Sequence, residues 1–166
     1  MKILGVDPGL ASIGWGIVEV NGPTTMCVCS GSLATQARQP LAERLRTIHD
    51  ALKAIADEHQ PQAAAVEEIF FAVNVKTAVA MAHARGAAIL AMAQCGIELF
   101  EYSPLQIKQS VVGYGRASKD QVQMMVMRLL GLKEAPATEH AADALAAALC
   151  HAASLKRRKI LEQVKS

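Results

Sequence analysis

The sequence has few aromatic residues and lacks any long uninterrupted apolar segment. Only 4% of its 166 residues are aromatic although 52% are hydrophobic, so aliphatic side chains must form most of the core. This balance favours a globular α/β domain in which helices cover a sheet. No segment reaches the ~18 consecutive apolar residues that indicate a membrane-spanning helix, and the first residues do not resemble a cleaved signal. We therefore expect a soluble, unprocessed chain that does not associate with membranes.

Paired cysteine motifs are also absent. The four cysteines form no CxxC pair, and each lies in an apolar stretch. A reduced thiol in such a place behaves as a small hydrophobic side chain. The pattern therefore favours free thiols and a cytoplasmic location.

The net charge of +2 is too small to indicate a nucleic-acid partner by itself, because phosphate binding depends on local clusters of basic residues. The basic residues are nevertheless concentrated in the last third of the chain, where Asp120 is the one acid between Pro104 and Lys133. A second basic cluster occupies residues 156–159. We expect one domain over residues 1–155 and a basic C-terminal tail over 156–166, which either contacts DNA or forms a solvated helix end.

Periodic patterns predict a β-meander followed by alternating helices and strands. In the second strand, Ile13, Trp15 and Ile17 alternate with glycines. In the first helix, charged residues that include Arg44 are predicted to lie opposite the apolar face. The predicted strands are Ile3–Val6, Ile13–Val20, Thr24–Leu33, Ala63–Val66 and Ile97–Phe100. The predicted helices are Leu41–His59, Val75–Gln94, two that start near Pro104 and Ser118, and Ala141–Leu155.

Carboxylates follow two of the predicted strands. Asp7 ends the first strand, and Pro8 restricts it to extended geometry, although Asp-Pro-Gly is also ordinary turn chemistry. Glu67 and Glu68 follow the strand that begins at Ala63. Because side chains alternate between the two faces of a sheet, at most one of these glutamates is expected to share a site with Asp7. The doublet does not reveal which, and both residues are also compatible with a solvated loop.

Asp143 lies within an almost entirely apolar helix, where a buried carboxylate requires a hydrogen-bond partner or a metal ion. His140, three residues earlier, shares its helical face, although a histidine at a helix end is an alternative interpretation. Oxygen ligands suit Mg²⁺ or Mn²⁺, and the histidine modestly favours Mn²⁺. Two such ions roughly 3.5–4 Å apart can activate water and stabilise the leaving oxygen of a phosphodiester.

Five motifs follow one another along the chain: Ile3–Gly9, Gly14-Trp15-Gly16, Val66–Phe70, Lys108–Gly113 and His140–Ala144. In these motifs the chain resembles the RuvC family of Holliday junction resolvases over residues 1–153. The resemblance implies a ribonuclease H-like fold with a five-stranded mixed sheet flanked by α-helices. It also implies a homodimer that makes paired symmetric nicks in four-way DNA junctions during recombination and repair, with two Mg²⁺ ions per subunit that Mn²⁺ can replace. A RuvA-RuvB branch-migration complex is the implied protein partner.

The resemblance assigns the metal ligands to Asp7, Glu67, His140 and Asp143, and so it selects Glu67 over Glu68. The family's four positions are acidic, so one expected carboxylate is replaced here by His140, as it is in some family members. That histidine is expected to bind metal or to accept the proton of the attacking water. The alternative is a relative that binds DNA but does not cut it.

Several further residues are expected to contact DNA. Lys108 and Lys119 match lysines that the family places near the active site, and a cation there can stabilise charge on the leaving oxygen, although either is equally compatible with an exposed helix lysine. Phe70 is expected to wedge or stack against an unpaired base. Arg116 belongs to the same basic segment as Lys119. Lys76 is expected to replace a basic residue that many relatives carry where this chain has Val73.

A helix rich in small residues offers a candidate dimer interface, although ordinary packing on the sheet explains the same pattern. A two-fold substrate with two symmetric cuts calls for a two-fold enzyme. The residues considered are Ala78, Met81, Ala82, Gly86, Ile89 and Ala93.

A competing enzyme class is suggested by the first hairpin, which also resembles the phosphate-binding start of actin-like and sugar-kinase ATPases. Those folds need two such lobes, whereas 166 residues hold one. An absence of ATP binding and hydrolysis would exclude this class.

Overall fold

The computed structural model describes residues 1–68 and 75–165 of the chain. Its centre is a five-stranded sheet in the order β3-β2-β1-β4-β5. The first three strands are antiparallel to one another, whereas β4 runs parallel to β1 and β5 runs parallel to β4. The five-stranded mixed sheet expected from the resemblance is therefore confirmed. The elements are β1 (Lys2–Asp7), β2 (Ser12–Asn21), β3 (Thr24–Ala34), α1 (Leu41–His59), β4 (Ala63–Glu67), α2 (Val75–Gln94), β5 (Glu98–Tyr102), α3 (Pro104–Val112), α4 (Lys119–Leu130) and α5 (Glu139–Lys165).

The predicted meander and the bounds of α1 and α2 are confirmed, and β1 to β4 extend at most one residue beyond prediction at either end, but β5 and α5 differ by more. Strand β5 begins and ends later than expected, because Gly96 adopts a left-handed conformation and the pairing with β4 extends to Tyr102. The predicted end of the last helix at Leu155 was wrong. Helix α5 continues to Lys165 because no proline or glycine interrupts the following residues, so the basic run is part of this helix.

Each face of the sheet has its own apolar core. Along β1, Leu4 and Val6 point toward α1 and α2, while Ile3 points toward α5. This alternation is the ordinary consequence of strand geometry. It places Asp7 on the same face as Ile3, and it places Glu67 on the same face as Ala65, which also belongs to the core beneath α5. The two carboxylates therefore project toward the same layer of helices.

Helix α5 approaches the sheet closely because three strand positions lack side chains. A Cβ at Gly5 would collide with the carbonyl oxygen of Ala144, and one at Gly14 would collide with that of His140. A Cβ at Gly16 would lie 2.6 Å from the Leu145 side chain. These glycines set how near the start of α5 lies to the ends of β1 and β2. None of the helices in residues 1–68 and 75–165 is both long and apolar enough to cross a membrane.

Candidate active site

A cavity of about 310 Å³ opens where the ends of β1 and β4 meet the first turns of α5. Its polar walls combine acidic residues with basic ones, and its apolar wall comes from α3 and α4. The lining residues are Asp7, Glu67, Pro104, Ile107, Lys108, Lys119, Val122, His140 and Asp143. Six of these nine were predicted as site residues from the sequence, so the fold brings these predicted side chains together in one cavity.

The strand register explains why the two strand carboxylates meet. Val6 of β1 lies opposite Val66 of the parallel strand β4, so Asp7 and Glu67 come next on neighbouring strands. Both project toward α5, whereas Glu68 is exposed outside the cavity and its N–H donates to the carbonyl of Tyr102. The structure therefore places Glu67, and not Glu68, in the cavity.

The first turns of α5 bring His140 and Asp143 over the sheet. The hydroxyl oxygen of Thr138 accepts a hydrogen bond from the Ala141 N–H at 3.1 Å, which caps the start of this helix. Since Gly14 has no side chain, the His140 backbone packs directly against β2. The positive end of the helix dipole at this terminus favours nearby carboxylates.

Asp7 and His140 contact each other directly. The Nδ1 atom of His140 lies 2.7 Å from Oδ2 of Asp7, across 133 residues of sequence. The Asp7 side chain is 13% exposed and that of His140 is 46% exposed. A carboxylate at Nδ1 favours the tautomer in which Nδ1 carries the proton and Nε2 keeps its lone pair. The histidine is therefore oriented by Asp7 and presents a basic nitrogen elsewhere.

The carboxylates crowd one another electrostatically. Burial, followed by the nearby charges of Asp7 and Asp143, raises the pKa of Glu67 to about 7 against the opposing effect of Lys119 and Lys108. Burial and the Asp7 charge also raise the pKa of Asp143 above its ordinary value. Such a set of half-buried carboxylates is stabilised by cations. The cavity is thus built to receive positive charge.

Lys119 supplies part of that charge, but its ion pairs are loose. Its Nζ lies 3.6 Å from a carboxylate oxygen of Glu139 and 3.9 Å from Oδ2 of Asp143. The lysine side chain is 71% exposed, so solvent screens both pairs and they contribute little stability. Lys119 therefore remains available for another anion at the mouth of the cavity.

The donor types in the cavity fit a hard divalent cation, since Asp7, Glu67 and Asp143 offer carboxylate oxygens and His140 offers a nitrogen. In the described part of the chain, however, no three histidine, cysteine, aspartate or glutamate side chains are arranged so that they could hold a metal ion as they stand. Metal binding by this set therefore requires the side chains to move.

Replacing Glu67 with glutamine is expected to stabilise the protein in the absence of metal. The folded carboxyl titrates near pH 7 instead of its ordinary 4.5, so between these values the folded state holds a proton that the unfolded state has released. The free energy of unfolding of the wild type therefore falls as pH rises through this window, by about 3 kcal/mol. Glu67→Gln removes this loss.

The measurement is urea unfolding in EDTA at pH 4.5 and pH 8. The difference between variant and wild type is expected to be small at the lower pH and to favour the variant at the higher pH. Glu68→Gln serves as the matched control, because this exposed neighbour lies outside the cavity. Equal pH dependence for Glu67→Gln and wild type would show that Glu67 is not a destabilised carboxylate.

The remaining predicted DNA contacts are only partly visible. Lys108 lines the cavity, whereas Arg116 is exposed on the loop between α3 and α4 and does not line it. Phe70 lies outside the described residues. Lys76 belongs to the first turn of α2, but its side chain is likewise outside the description. The roles of these last two residues stay predictions.

Arg44 is a residue whose position the sequence did not reveal. It was predicted to lie on the solvent face of α1, but its guanidinium donates to Thr35 Oγ1 at 2.8 Å and to the Leu10 carbonyl at 3.1 Å. The Thr35 hydroxyl donates to the same carbonyl at 2.6 Å. Arg44 thereby fixes the turn that follows Asp7. No local pattern indicates this role, because the contacts join distant parts of the chain.

Comparison with known proteins gives consistent matches. Residues 3–151 match the family described as Crossover junction endodeoxyribonuclease RuvC. A protein of that name from Chloroflexus aggregans is 51% identical over 152 residues, covering 92% of this chain and 93% of the relative. The structure titled T. thermophilus RuvC in complex with Holliday junction substrate has a TM-score of 0.90 at 37% identity and covers 95% of this chain and 96% of that one. The yeast mitochondrial Holliday junction resolvase Ydc2, at 14% identity and a TM-score of 0.64 over 98% of this chain and 83% of its own, shares the fold.

Proposed function

Because the chain belongs to the RuvC family of crossover junction endodeoxyribonucleases, we propose that it resolves Holliday junctions by hydrolysing phosphodiester bonds in the cavity described above. The observation that carries this proposal is the convergence of Asp7, Glu67, His140 and Asp143 on one cavity with Lys108 and Lys119 at its wall. The ribonuclease H-like fold supports the same activity, since one of its closely similar structures is titled as a complex with a Holliday junction substrate.

We assign the binding of two Mg²⁺ ions, replaceable by Mn²⁺, to Asp7, Glu67, His140 and Asp143. When bound, such ions activate water and stabilise the departing oxygen. Glu67, whose pKa is raised to about 7 by burial and neighbouring carboxylates, must release its proton to act as a ligand, so metal binding is expected to weaken below neutral pH. The Nε2 atom of His140, left basic by the contact of Nδ1 with Asp7, serves as a ligand or accepts the proton of the attacking water.

The basic residues hold the substrate. Lys108 and Lys119 face the cavity from α3 and from the start of α4, where they attract the scissile phosphate and stabilise charge on the leaving oxygen. Because the Lys119 side chain is exposed, its ammonium group can move to stay near the leaving oxygen as the bond breaks. Arg116, Lys76 and Phe70 are proposed to contact DNA around the cavity, the last by wedging against an unpaired base.

The activity is tested with a mobile four-way junction and a linear duplex of matched sequence, each in Mg²⁺ and in Mn²⁺. We expect two nicks at symmetric positions in the junction and far slower cutting of the duplex. Glu67→Gln is expected to remove cleavage, while Glu68→Gln is expected to retain it. Binding of the junction without symmetric nicks in either metal would instead identify a non-catalytic DNA-binding protein.

We further propose that two copies of the chain pair through α2. An apolar stripe runs along this helix on the side that faces away from the sheet: Val75 is 74% exposed, Val79 is 49% exposed and Leu90 is 53% exposed. Gly86 lies on the same side with open space above it. Of the six residues considered from the sequence, Ala82, Gly86 and Ala93 are exposed, whereas the other three are half-buried. A second copy suits this stripe because two symmetric cuts need two equivalent sites.

Leu90→Glu is expected to convert the dimer to a monomer at micromolar concentration, because it places a charge within the paired apolar stripes. Sedimentation velocity measures the change, and Met124→Glu provides the control on the exposed side of α4, where Met124 is 65% exposed. A wild type that sediments as a monomer at tens of micromolar would refute pairing through α2.

Family membership also supports two wider assignments. We propose a cytoplasmic location, where the chain would reach chromosomal DNA, and a RuvA-RuvB branch-migration complex as its partner. Co-sedimentation of the protein with such a complex on a four-way junction tests the second assignment.

A further inference from the structure

The loop that joins α3 to α4 connects two helices that both line the active-site cavity. Helix α3 contributes Ile107 and Lys108 to the cavity, and α4 begins with Lys119, which also lines it. The connecting residues 113–118 therefore lie between two parts of the cavity wall. Tyr114 in this loop is 48% exposed.

The loop is shaped so that Tyr114 stands at the surface. Gly113 ends α3 in a left-handed conformation with φ of 96°, which turns the chain sharply before Tyr114. Gly115 then packs against Leu105, and a Cβ at this glycine would collide with the leucine side chain. Leu105 itself is 59% exposed, so the loop and the start of α3 present adjoining apolar surface to solvent.

Tyr114 has no structural partner that explains its position. Within residues 1–68 and 75–165 it belongs to neither apolar core, and its hydroxyl makes no hydrogen bond. The other tyrosine, Tyr102, does have hydrogen-bonding partners. Its hydroxyl lies 2.7 Å from His151 Nδ1 and 3.0 Å from Ser154 Oγ. In a chain with one Trp, two Tyr and three Phe, an exposed aromatic ring on the loop between two helices of the cavity wall is available for a ligand.

The charges around Tyr114 indicate what kind of ligand this is. Lys108 and Lys119 lie on either side of the loop, and Arg116 is exposed within it. Basic side chains that follow a phosphate backbone, combined with an aromatic ring, are the usual arrangement for binding a single strand. A ring can stack on any base, since every base has an aromatic face.

We propose that Tyr114 stacks on a nucleobase of the strand that is cut, adjacent to the phosphate held in the cavity. The inference rests on the proposed junction-resolving function and deepens it. The base stacks on the ring while Lys108, Arg116 and Lys119 contact the neighbouring phosphates. Stacking is insensitive to base identity, so Tyr114 positions the strand and does not select its sequence.

Junctions that carry the fluorescent base 2-aminopurine at successive positions around the cut provide the test, because stacking on an aromatic ring quenches its fluorescence. Binding is measured in EDTA so that no cleavage occurs. With wild type we expect quenching at one or two positions next to the scissile phosphate. Tyr114→Phe should retain it, whereas Tyr114→Leu and Tyr114→Ala should lose it at the same positions and weaken junction binding about 5- to 20-fold.

Met124→Ala is the matched control, because it removes an exposed apolar side chain from α4 instead of from the loop. This variant should leave quenching and affinity unchanged. Loss of quenching in the leucine variant with retention in the phenylalanine variant identifies the ring as the stacking partner. Equal quenching by wild type and Tyr114→Leu would overturn the inference. If wild type nicks junctions symmetrically in that case, the inference alone fails, whereas a wild type that does not nick them contradicts the proposed function.

Discussion

Replacing Asp7 with asparagine is expected to reduce the single-turnover rate of junction cleavage at least about a thousandfold, which corresponds to roughly 4 kcal/mol in activation free energy. The amide keeps the shape of the side chain but loses the negative charge that is proposed to bind metal. It also changes the group that contacts His140 Nδ1 at 2.7 Å. Both effects reduce the contribution that Asp7, at the end of β1, is proposed to make to cleavage.

Junction binding is expected to survive the same substitution. DNA is a polyanion, so removing a carboxylate from a cavity that already contains Glu67 and Asp143 reduces repulsion toward the phosphate. Affinity in EDTA should therefore be equal to that of wild type or tighter. Asp57→Asn is the control, because this exposed carboxylate of α1 lies outside the cavity, where it pairs with Lys53 and accepts a weak hydrogen bond from the Cys95 thiol. Cleavage by Asp7→Asn at the wild-type rate would remove Asp7 from the active site.

A single methyl group at Gly14 is expected to impair both stability and cleavage. The Cβ of alanine would collide with the carbonyl of His140, so the start of α5 must move away from β2. Overpacking of this kind typically costs about 1–3 kcal/mol. The same displacement shifts His140 and Asp143 relative to Asp7, and a shift of about 1 Å in catalytic groups can cost on the order of a hundredfold in rate.

Gly86→Ala is the control that distinguishes the collision at Gly14 from a general loss of stability when any glycine is replaced. Nothing lies within 4 Å of a Cβ built at Gly86, which is on the exposed side of α2. Alanine there is expected to raise the free energy of unfolding by roughly 0.4–1 kcal/mol. Thermal unfolding is measured for both variants, and single-turnover cleavage is compared between Gly14→Ala and wild type alone, because Gly86 lies on the stripe proposed to pair two copies of the chain. Wild-type stability and rate in Gly14→Ala would show that α5 does not need its close approach to β2.

The pattern of side chains predicted much of the fold, because the periodic spacing of apolar residues in strands and helices can be recognised within short segments. The alternation in β2 and the helical spacing from Leu41 to His59 needed only local sequence. The same local rule showed that Glu67 and Glu68 must point to opposite faces. It did not show which one accompanies Asp7, since that depends on β4 lying beside β1 with Val6 opposite Val66.

Contacts between segments that are distant in sequence could not be predicted from local patterns. The direct contact of Asp7 with His140 and the hydrogen bonds of Arg44 to Thr35 and Leu10 arise only when the elements pack. The exposed ring of Tyr114 also gave no local indication, because exposure depends on how α3 and α4 are placed. The resemblance to a family suggested the four proposed ligands by analogy, whereas the packing of α5 supplies the physical reason that these side chains meet.

The 133 residues that separate Asp7 from its partner His140 have a consequence for biosynthesis. The strands of the sheet are made first, but β1, β2 and β4 remain uncovered on one face until α5 has emerged from the ribosome. A nascent chain that stops before His140 therefore holds Asp7 and Glu67 without His140 and Asp143, the other two proposed ligands. Fragments released by an interruption of translation before this point are expected to lack nuclease activity.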